Sequence, residues 1–415
     1  MKARVISRDV FVRSPERGTA VHGASYYATA SGVELMSLHG YERRSDVLDV
    51  SFVRRSHDNG RTWSDAVEVP TRYDHPEGTF RRSLAIVEVE RRTGRLLCIW
   101  NEAVFPTDDP LEGMRQYTLR YGVSEDGGRT FPVDQQIIHE GAGYDAIHHL
   151  PGVTVGKTCA MIGDSGQRPL TRSDGAVLVP IQVTPAGPDG EYRNPGAGYT
   201  YTDCTLLFGR WRADGRIAWT ASERIVGEPD RTTRGLIEPT IAELADGSLI
   251  MVMRGSNDAR PHLPGHKWIA RSRDGGGTWT RPEPWTYLDG EPFFSPSSMS
   301  QLVPYSDGHL FWVGNVCAGN PAGNSPRYPI IIGEVDRERG LLVRESVAVI
   351  DDRAPGESPH LTLSNFYVRE DRATAHLVLH MTRLFAQDFR REGAIDWTAD
   401  ALVYRIAVPE GTRHG

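Results

Sequence analysis

Cysteine is scarce in this chain: four in 415 residues, at Cys98, Cys159, Cys204 and Cys317. They lie far apart and no C-x-x-C occurs, which argues against a disulfide framework and against a cysteine zinc site. The expectation is four small buried hydrophobes. Long apolar runs are missing as well. No stretch approaches the roughly 18 apolar residues of a membrane helix, and the N-terminal "MKARVISRDVFVRS" has no apolar signal core. As given, the chain reads as soluble and cytoplasmic, with no membrane partner; a signal peptide removed beforehand would make it secreted. An excess of basic residues is also absent. With a net charge of -7 and a pI near 6.1, nucleic acid is not an expected partner, because binding it needs a basic face. A local basic pocket for an acidic ligand is still compatible. Helical periodicity is almost lacking. Neither H-E-x-x-H nor an EF-hand loop occurs, so no metal and no cofactor is expected.

What is present is a repeat. Hydrophobic residues make up 39% and charged residues 24% of the chain, enough apolar content for a substantial core. The pattern S-x-D-x-G-x-T-aromatic occurs three times: from Ser56 to Trp63, from Ser124 to Phe131 and from Ser272 to Trp279. The first two start 68 residues apart and the next pair 148 apart, close to twice 74. A period near 70 is too long for a helical solenoid and suits a four-stranded propeller blade with generous loops. Short β-rich runs such as "TGRLLCIWNE", "DGSLIMVMRG" and "DGHLFWVGNV" follow Gly and Asp turns, and each is preceded by another strand-like run. That grammar gives six hairpins. The blades read as 18–75, 76–140, 150–230, 231–290, 291–350 and 358–408, one propeller spanning residues 1–415. The leftover N-terminal "RVISRDVFV" is placed to add a strand to the last blade and close the ring. Seven blades are the alternative, since the Gly- and Pro-rich 141–200 stretch has room for a weak one.

The three repeats resemble the Asp-box of the sialidase-like (BNR repeat) propellers. In such a turn Asp and Ser side chains bond locally, Gly takes a conformation closed to other residues, and the aromatic ring plugs between sheets. The resemblance implies an all-β, six-bladed propeller of sialidase type whose repeats are scaffold. Chemistry is then expected at the axial mouth, lined by the starts of the innermost strands and the ends of the next ones. First-strand starts give His22, Arg81 or Arg82, Asp164 or Arg168, Glu238, Ser297 or Ser298, and Asn365. Second-strand ends give Arg43 and Arg44, Asn101 and Glu102, Gln182, Arg254, Asn315, and His380 or Arg383. In at least five blades an apolar run leads straight into one of these polar residues, which predicts a polar ring around the axis.

Within the resemblance, "LIEPTIAELADGSLIMVMRGS" matches the sialidase segment carrying a buried glutamate and the second arginine of a carboxylate-binding triad, here Glu238 and Arg254. "NPAGNSPRYPIIIGEVD" matches the segment of the third arginine, here Arg327. "YERRSDVLDVSFVRRSHDNGRTW" places the acid aspartate at Asp46, with Asp49 second. Two features depart from the family. His22 stands where the F/Y-R-I-P arginine would be, and Leu363 stands near the place of the nucleophilic tyrosine, with Tyr367 further along the strand. The reading is a glycoside hydrolase that removes a terminal, acidic sugar in exo fashion. Asp46, Glu238, His22 and His148 are its catalytic candidates. Arg254, Arg327, Arg168, Gln182, Arg82, Glu102 and Asn315 are its substrate-binding candidates. A lyase cutting at a uronate linkage, with His22, His148, Tyr201 and Arg168 at the mouth, is the alternative. A non-catalytic glycan-binding propeller is the third reading.

Overall fold

Six antiparallel sheets form a six-bladed propeller. The computed structural model describes residues 2–409 except 173, 389 and 392. In the fourth blade, Ile237–Glu243, Leu249–Arg254, Lys267–Ser272 and Glu283–Pro284 follow one another in chain order from axis to rim. The first blade (Ala20–Tyr27, Leu35–Glu42, Val50–Ser56, Val67–Val69) and the fifth (Gln301–Pro304, Leu310–Asn315, Ile330–Glu334, Ala348–Asp351) repeat this order. The second runs Ile86–Val89, Leu96–Phe105, Thr118–Ser124, Val133–Gln136. It carries an extra hairpin, Arg72–His75 with Gly78–Arg82, on the far end of Leu96–Phe105. In the third blade, Gly- and Pro-rich sequence splits the innermost strand into Ala160–Met161 and Leu170–Thr171, both paired to Val177–Val183. Among the described residues the rest of 141–200 is loop, and no seventh blade sheet forms from it. In the last blade Thr362–Glu370, Leu377–Leu384 and Ala401–Ala407 are completed by Arg4–Val12, paired antiparallel to Ala401–Ala407. The two ends of the chain thus share one sheet. The four cysteines are free and buried. No described helix is long and apolar enough to cross a membrane.

Both faces of a blade meet a neighbour, so its central strands are apolar throughout rather than alternating. Val177–Val183 and Leu249–Arg254 are buried along their whole length. The core is accordingly a series of wedges between blades. One joins blades two and three around Ile99, Leu207 and Trp219; another joins four and five around Trp285 and Trp312, whose rings meet edge to face at 5.1 Å.

The repeated turns build one network three times. Gly60 N donates to Ser56 Oγ at 2.8 Å, Thr62 N to Asp58 Oδ1 at 2.8 Å, and Thr62 Oγ1 to Asp58 Oδ2 at 2.6 Å. Asp126 and Asp274 hold Thr130 and Thr278 in the same way. The Thr62 bonds pull the Asp58 carboxyl down to about 2. Gly60, Gly128 and Gly276 have φ of 82°, 80° and 103°, a region that side chains disfavour. At Gly276 a Cβ would also lie 2.5 Å from Leu206 of the preceding blade. The aromatic position is less uniform than expected. Trp279 packs into the wedge between blades three and four, and Trp63 lies against Phe11 and Arg54. Phe131 is 38% exposed and does not plug two sheets together.

The polar residues near the ends of the second strands reach across to the next blade. Asn101 accepts from Ile162 N at 2.8 Å and donates to Ile162 O at 2.6 Å. Gln182 accepts from Glu238 N at 2.8 Å, and Arg254 donates to Ser297 Oγ at 2.9 Å. Asn315 donates to Leu363 O at 3.2 Å, and Thr382 to Val21 O at 2.5 Å. Five junctions therefore share one device, and all five side chains are buried. Gln301 makes a related stitch from blade five to blade six, donating to Val368 O and accepting from Val368 N at 2.8 and 2.9 Å. Replacing Gln301 by Leu strands both backbone groups without water. The expected loss is roughly 2–4 kcal/mol, read as a fall in the urea unfolding midpoint; an unmoved midpoint would show that these bonds do not hold the junction.

Candidate functional site

At one end of the axis a cleft of about 300 Å³ opens between the inner strands. Its floor comes from blades one, three, four and six: His22, Asp164, Glu238 and Asn365. One wall is apolar. Leu84, Ile86 and Ile162 contribute to it, together with Pro110, Met114 and Tyr117 from the short helical insertion after the second strand of blade two.

Backbone strain concentrates here. Of the eight described non-glycine residues with positive φ, three line the cleft: Asp46 at 67°, Glu238 at 46° and Asn365 at 58°. The strand register shifts between Ile237 and Thr240, and again between Ser364 and Phe366. These irregularities turn Glu238 and Asn365 out of the pleat, and such bulges commonly re-aim side chains at functional sites.

Glu238 Oε1 accepts from Arg254 Nη1 at 2.5 Å, while the buried Oε2 has no partner. Burial alone would raise this carboxyl, but Arg254, Arg327 and Arg234 outweigh it and hold the group below its usual range. Asp164 goes the other way. Burial, and then the Glu238 charge, push it up to about 7, against its bonds from Ser165. Asn365 donates to Asp164 Oδ2 at 2.8 Å. Two carboxyls in one cleft are thus driven to opposite protonation states, the arrangement that acid–base chemistry requires.

The arginines divide into two roles. Arg254 uses Nε on Ser297, Nη1 on Glu238 and Nη2 on Asn324. Arg327 donates twice to Ser297 O, at 3.2 and 3.0 Å. Neither lines the cleft; both stand behind Glu238 as its counter-charge. Burial and Arg254 bring Arg327 down to about 9, and burial brings the nearby Lys267 down to about 7. Arg234 is the arginine on the cleft wall, held by Thr200 and lying 5.5 Å from the Tyr199 ring centre. His22 lines the floor. Its Nε2 is 2.5 Å from Glu42 Oε2, within ion-pair distance, and neither ring nitrogen makes an aligned hydrogen bond. Burial favours the neutral ring, yet Glu42, and after it Asp164, raise its pKa overall. Asp46 sits exposed at the lip, its backbone N–H donating to Glu42 at 2.9 Å.

The structure does not bring most of the other expected site residues to this cleft. His148 lies on an exposed loop, 3.5 Å from Asp145. Arg168 donates to Glu88 at 2.8 Å and faces the opposite mouth. Arg82 stacks on Trp100 at 3.9 Å, and Glu102 accepts from the Trp100 indole at 3.0 Å, both on blade two away from the cleft. Asn315 is consumed by the carbonyls of Arg327, Pro329 and Leu363. Gln182 does line the cleft, with its amide oxygen fixed on Glu238 N. Tyr201 is buried and bonded to Gly227 O at 2.8 Å, so the four residues of the elimination reading do not meet. Leu363 is core, whereas Tyr367 lines the cleft and packs against Tyr26 at 4.5 Å. Arg234 escaped the sequence reading because it precedes its inner strand by three residues. Asp164 stood there only as an alternative to Arg168, and the split inner strand of blade three hid which of the two faces the cleft.

The sequence profile of the BNR repeat-like domain family matches residues 49–358. No curated protein matches the chain. Among solved structures, a protein of unknown function from Dyadobacter fermentans is similar at 14% identity and a TM-score of 0.65, over 98% of this chain and 99% of that one. The K499G mutant of NanB sialidase from Streptococcus pneumoniae is similar at 11% identity and 0.59, over 96% and 70%. The Penicillium chrysogenum α-L-arabinanase complexed with arabinobiose is similar at 12% identity and 0.52, over 98% of each chain. At these identities the likeness is one of fold.

Asp164 gives the folded protein a pH signature. Its folded pKa, about 7, lies above the ordinary aspartate value of 3.8. Between those values the folded state holds a proton that the unfolded chain has lost, so stability falls as pH rises through that window. Asp164→Asn is expected to have a higher thermal midpoint than the wild type at pH 8, with the gap closing toward pH 4. A gap that is constant with pH would show that Asp164 is ionised throughout.

Proposed function

The chain belongs to the BNR repeat-like domain family, and from that footing we propose that its axial cleft hydrolyses the glycosidic bond of a terminal acidic sugar. The observation that carries this reading is the pairing of an ionised Glu238, with one oxygen unpartnered, and a protonated Asp164 in the same cleft. Glycoside hydrolysis needs such a pair. Asp164 donates its proton to the departing glycosidic oxygen as the bond to the anomeric carbon breaks. Glu238 faces the positive charge that grows on the sugar ring; water then adds to the anomeric carbon as the new hydroxyl, and the proton it gives up returns to Asp164. Arg254 and Arg327 keep Glu238 charged. Arg234 meets the sugar carboxylate, as a planar guanidinium suits, and His22 with Glu42 shapes the floor.

This reading moves the acid from Asp46 to Asp164, since burial raises Asp164 while Asp46 is exposed at the lip. The positions of His148, on an exposed loop, and Arg168, at the opposite mouth, support hydrolysis over elimination, which needs its base and its arginine in one cleft.

Fluorogenic glycosides of sialic and uronic acids, followed for sugar release and ultraviolet absorbance, test the reading. Asp164→Asn and Glu238→Gln are expected to lower turnover roughly 10²–10⁴-fold, Asp46→Asn far less, and Arg234→Gln to raise KM for acidic substrates selectively. Unchanged turnover in Glu238→Gln, or an ultraviolet-absorbing unsaturated product, would refute it.

A further inference from the structure

The axis has a second mouth. On the opposite face a cavity of about 680 Å³ is lined by inner-strand residues of blades one to six, and Tyr26 and Tyr367 border both cavities. The chain carries a net charge of -7, yet this cavity is lined by six arginines and three glutamates. All three glutamates are occupied. Glu88 accepts from Arg168 at 2.8 Å. Glu90 is folded into its own turn, accepting from Arg92 N at 2.9 Å and Thr93 N at 2.6 Å. Glu370 accepts from Ser306 N at 2.8 Å and from the Ser306 hydroxyl.

Arg168, Arg172 and Arg369 have carboxylate neighbours, in Glu88, Asp174 and Asp371. Arg91, Arg92 and Arg372 make no ion pair among the described residues. Arg372 is anchored by its Nη1 to the carbonyls of Thr29 and Gly32 and lies over the Tyr27 ring at 3.8 Å. Burial lowers its pKa, and Arg91 and Arg369 add to the lowering through like charge. Three arginines without an ion pair thus line a roomy cavity whose six arginines outnumber its three glutamates. One of the three is held in place by backbone carbonyls and an aromatic face, a preorganised setting for a charge-assisted contact.

We propose that this second mouth binds a multivalent oxyanion, a small phosphorylated or sulfated ligand whose groups pair with Arg91, Arg92 and Arg372. The site is separate from the catalytic cleft and does not depend on the hydrolytic reading.

Titration calorimetry at low ionic strength tests it with two probes, inorganic pyrophosphate and a sulfated disaccharide; the tighter binder identifies the phosphate or sulfate source. Arg91→Gln/Arg92→Gln changes two exposed side chains and leaves the fold intact, and it is expected to weaken binding roughly tenfold or more. Arg372→Gln is expected to do the same, while Glu238→Gln and Arg234→Gln bind as the wild type. No binding of either probe, or binding that survives the double change, would overturn the site. Loss in Arg234→Gln alone would place the anion in the other mouth and overturn it as well.

Discussion

Everything at the hub depends on the bond that each second strand throws to the start of the next blade. A propeller needs its innermost strands to lie side by side without pairing as a sheet, so their backbone groups near the axis lack ladder partners. An unpartnered buried amide or carbonyl costs more than most side-chain contacts return. Asn101, Gln182, Asn315 and Thr382 meet that need, each on the neighbour's backbone. Arg254 does so through Ser297. Because the stitch is made to the segment that also lines the cleft, it fixes the site while closing the ring. Gln182 shows the coupling most directly: the amide oxygen that joins blades three and four holds the backbone N–H of Glu238, a residue with φ of 46°.

The electrostatics of the cleft rest on the same arrangement. Arg254 belongs to a stitch and to the Glu238 ion pair at once. Arg327 joins it on Ser297, so two guanidiniums lie behind one carboxylate. Their charge keeps Glu238 ionised despite burial, and the Glu238 charge helps to keep Asp164 protonated. Opposite protonation states therefore follow from packing order, with no special residue chemistry required.

The tyrosine pair at the centre divides the axis into two cavities of unlike character. One couples carboxyls to an apolar wall. The other collects six arginines, three of them without an ion pair among the described residues. A channel through six wedge-shaped blades is open at both ends by construction, so side chains must close it; Tyr26 and Tyr367, packed at a tilt with ring centres 4.5 Å apart, border both cavities.

The blade count and the chain ranges of the sheets were legible because their signals are local. A turn such as Ser56 to Trp63 completes its hydrogen bonds within eight residues, and apolar runs such as Leu249–Arg254 record burial on both faces. Glu238 was legible for a similar reason, through a contiguous segment that resembles the sialidases. Which polar residues face a ligand was not legible. Asn101, Gln182 and Arg254 look alike in sequence whether they meet substrate, solvent or a neighbouring backbone, and only the radial packing of blades separated in the chain decides among these. The same holds for Asp164 and Arg168, four residues apart and directed to opposite mouths by a broken strand. By itself the sequence determined the repeat, the strands and the turns. Tertiary structure alone decided which charges meet at the hub, because that depends on contacts between residues distant in the chain.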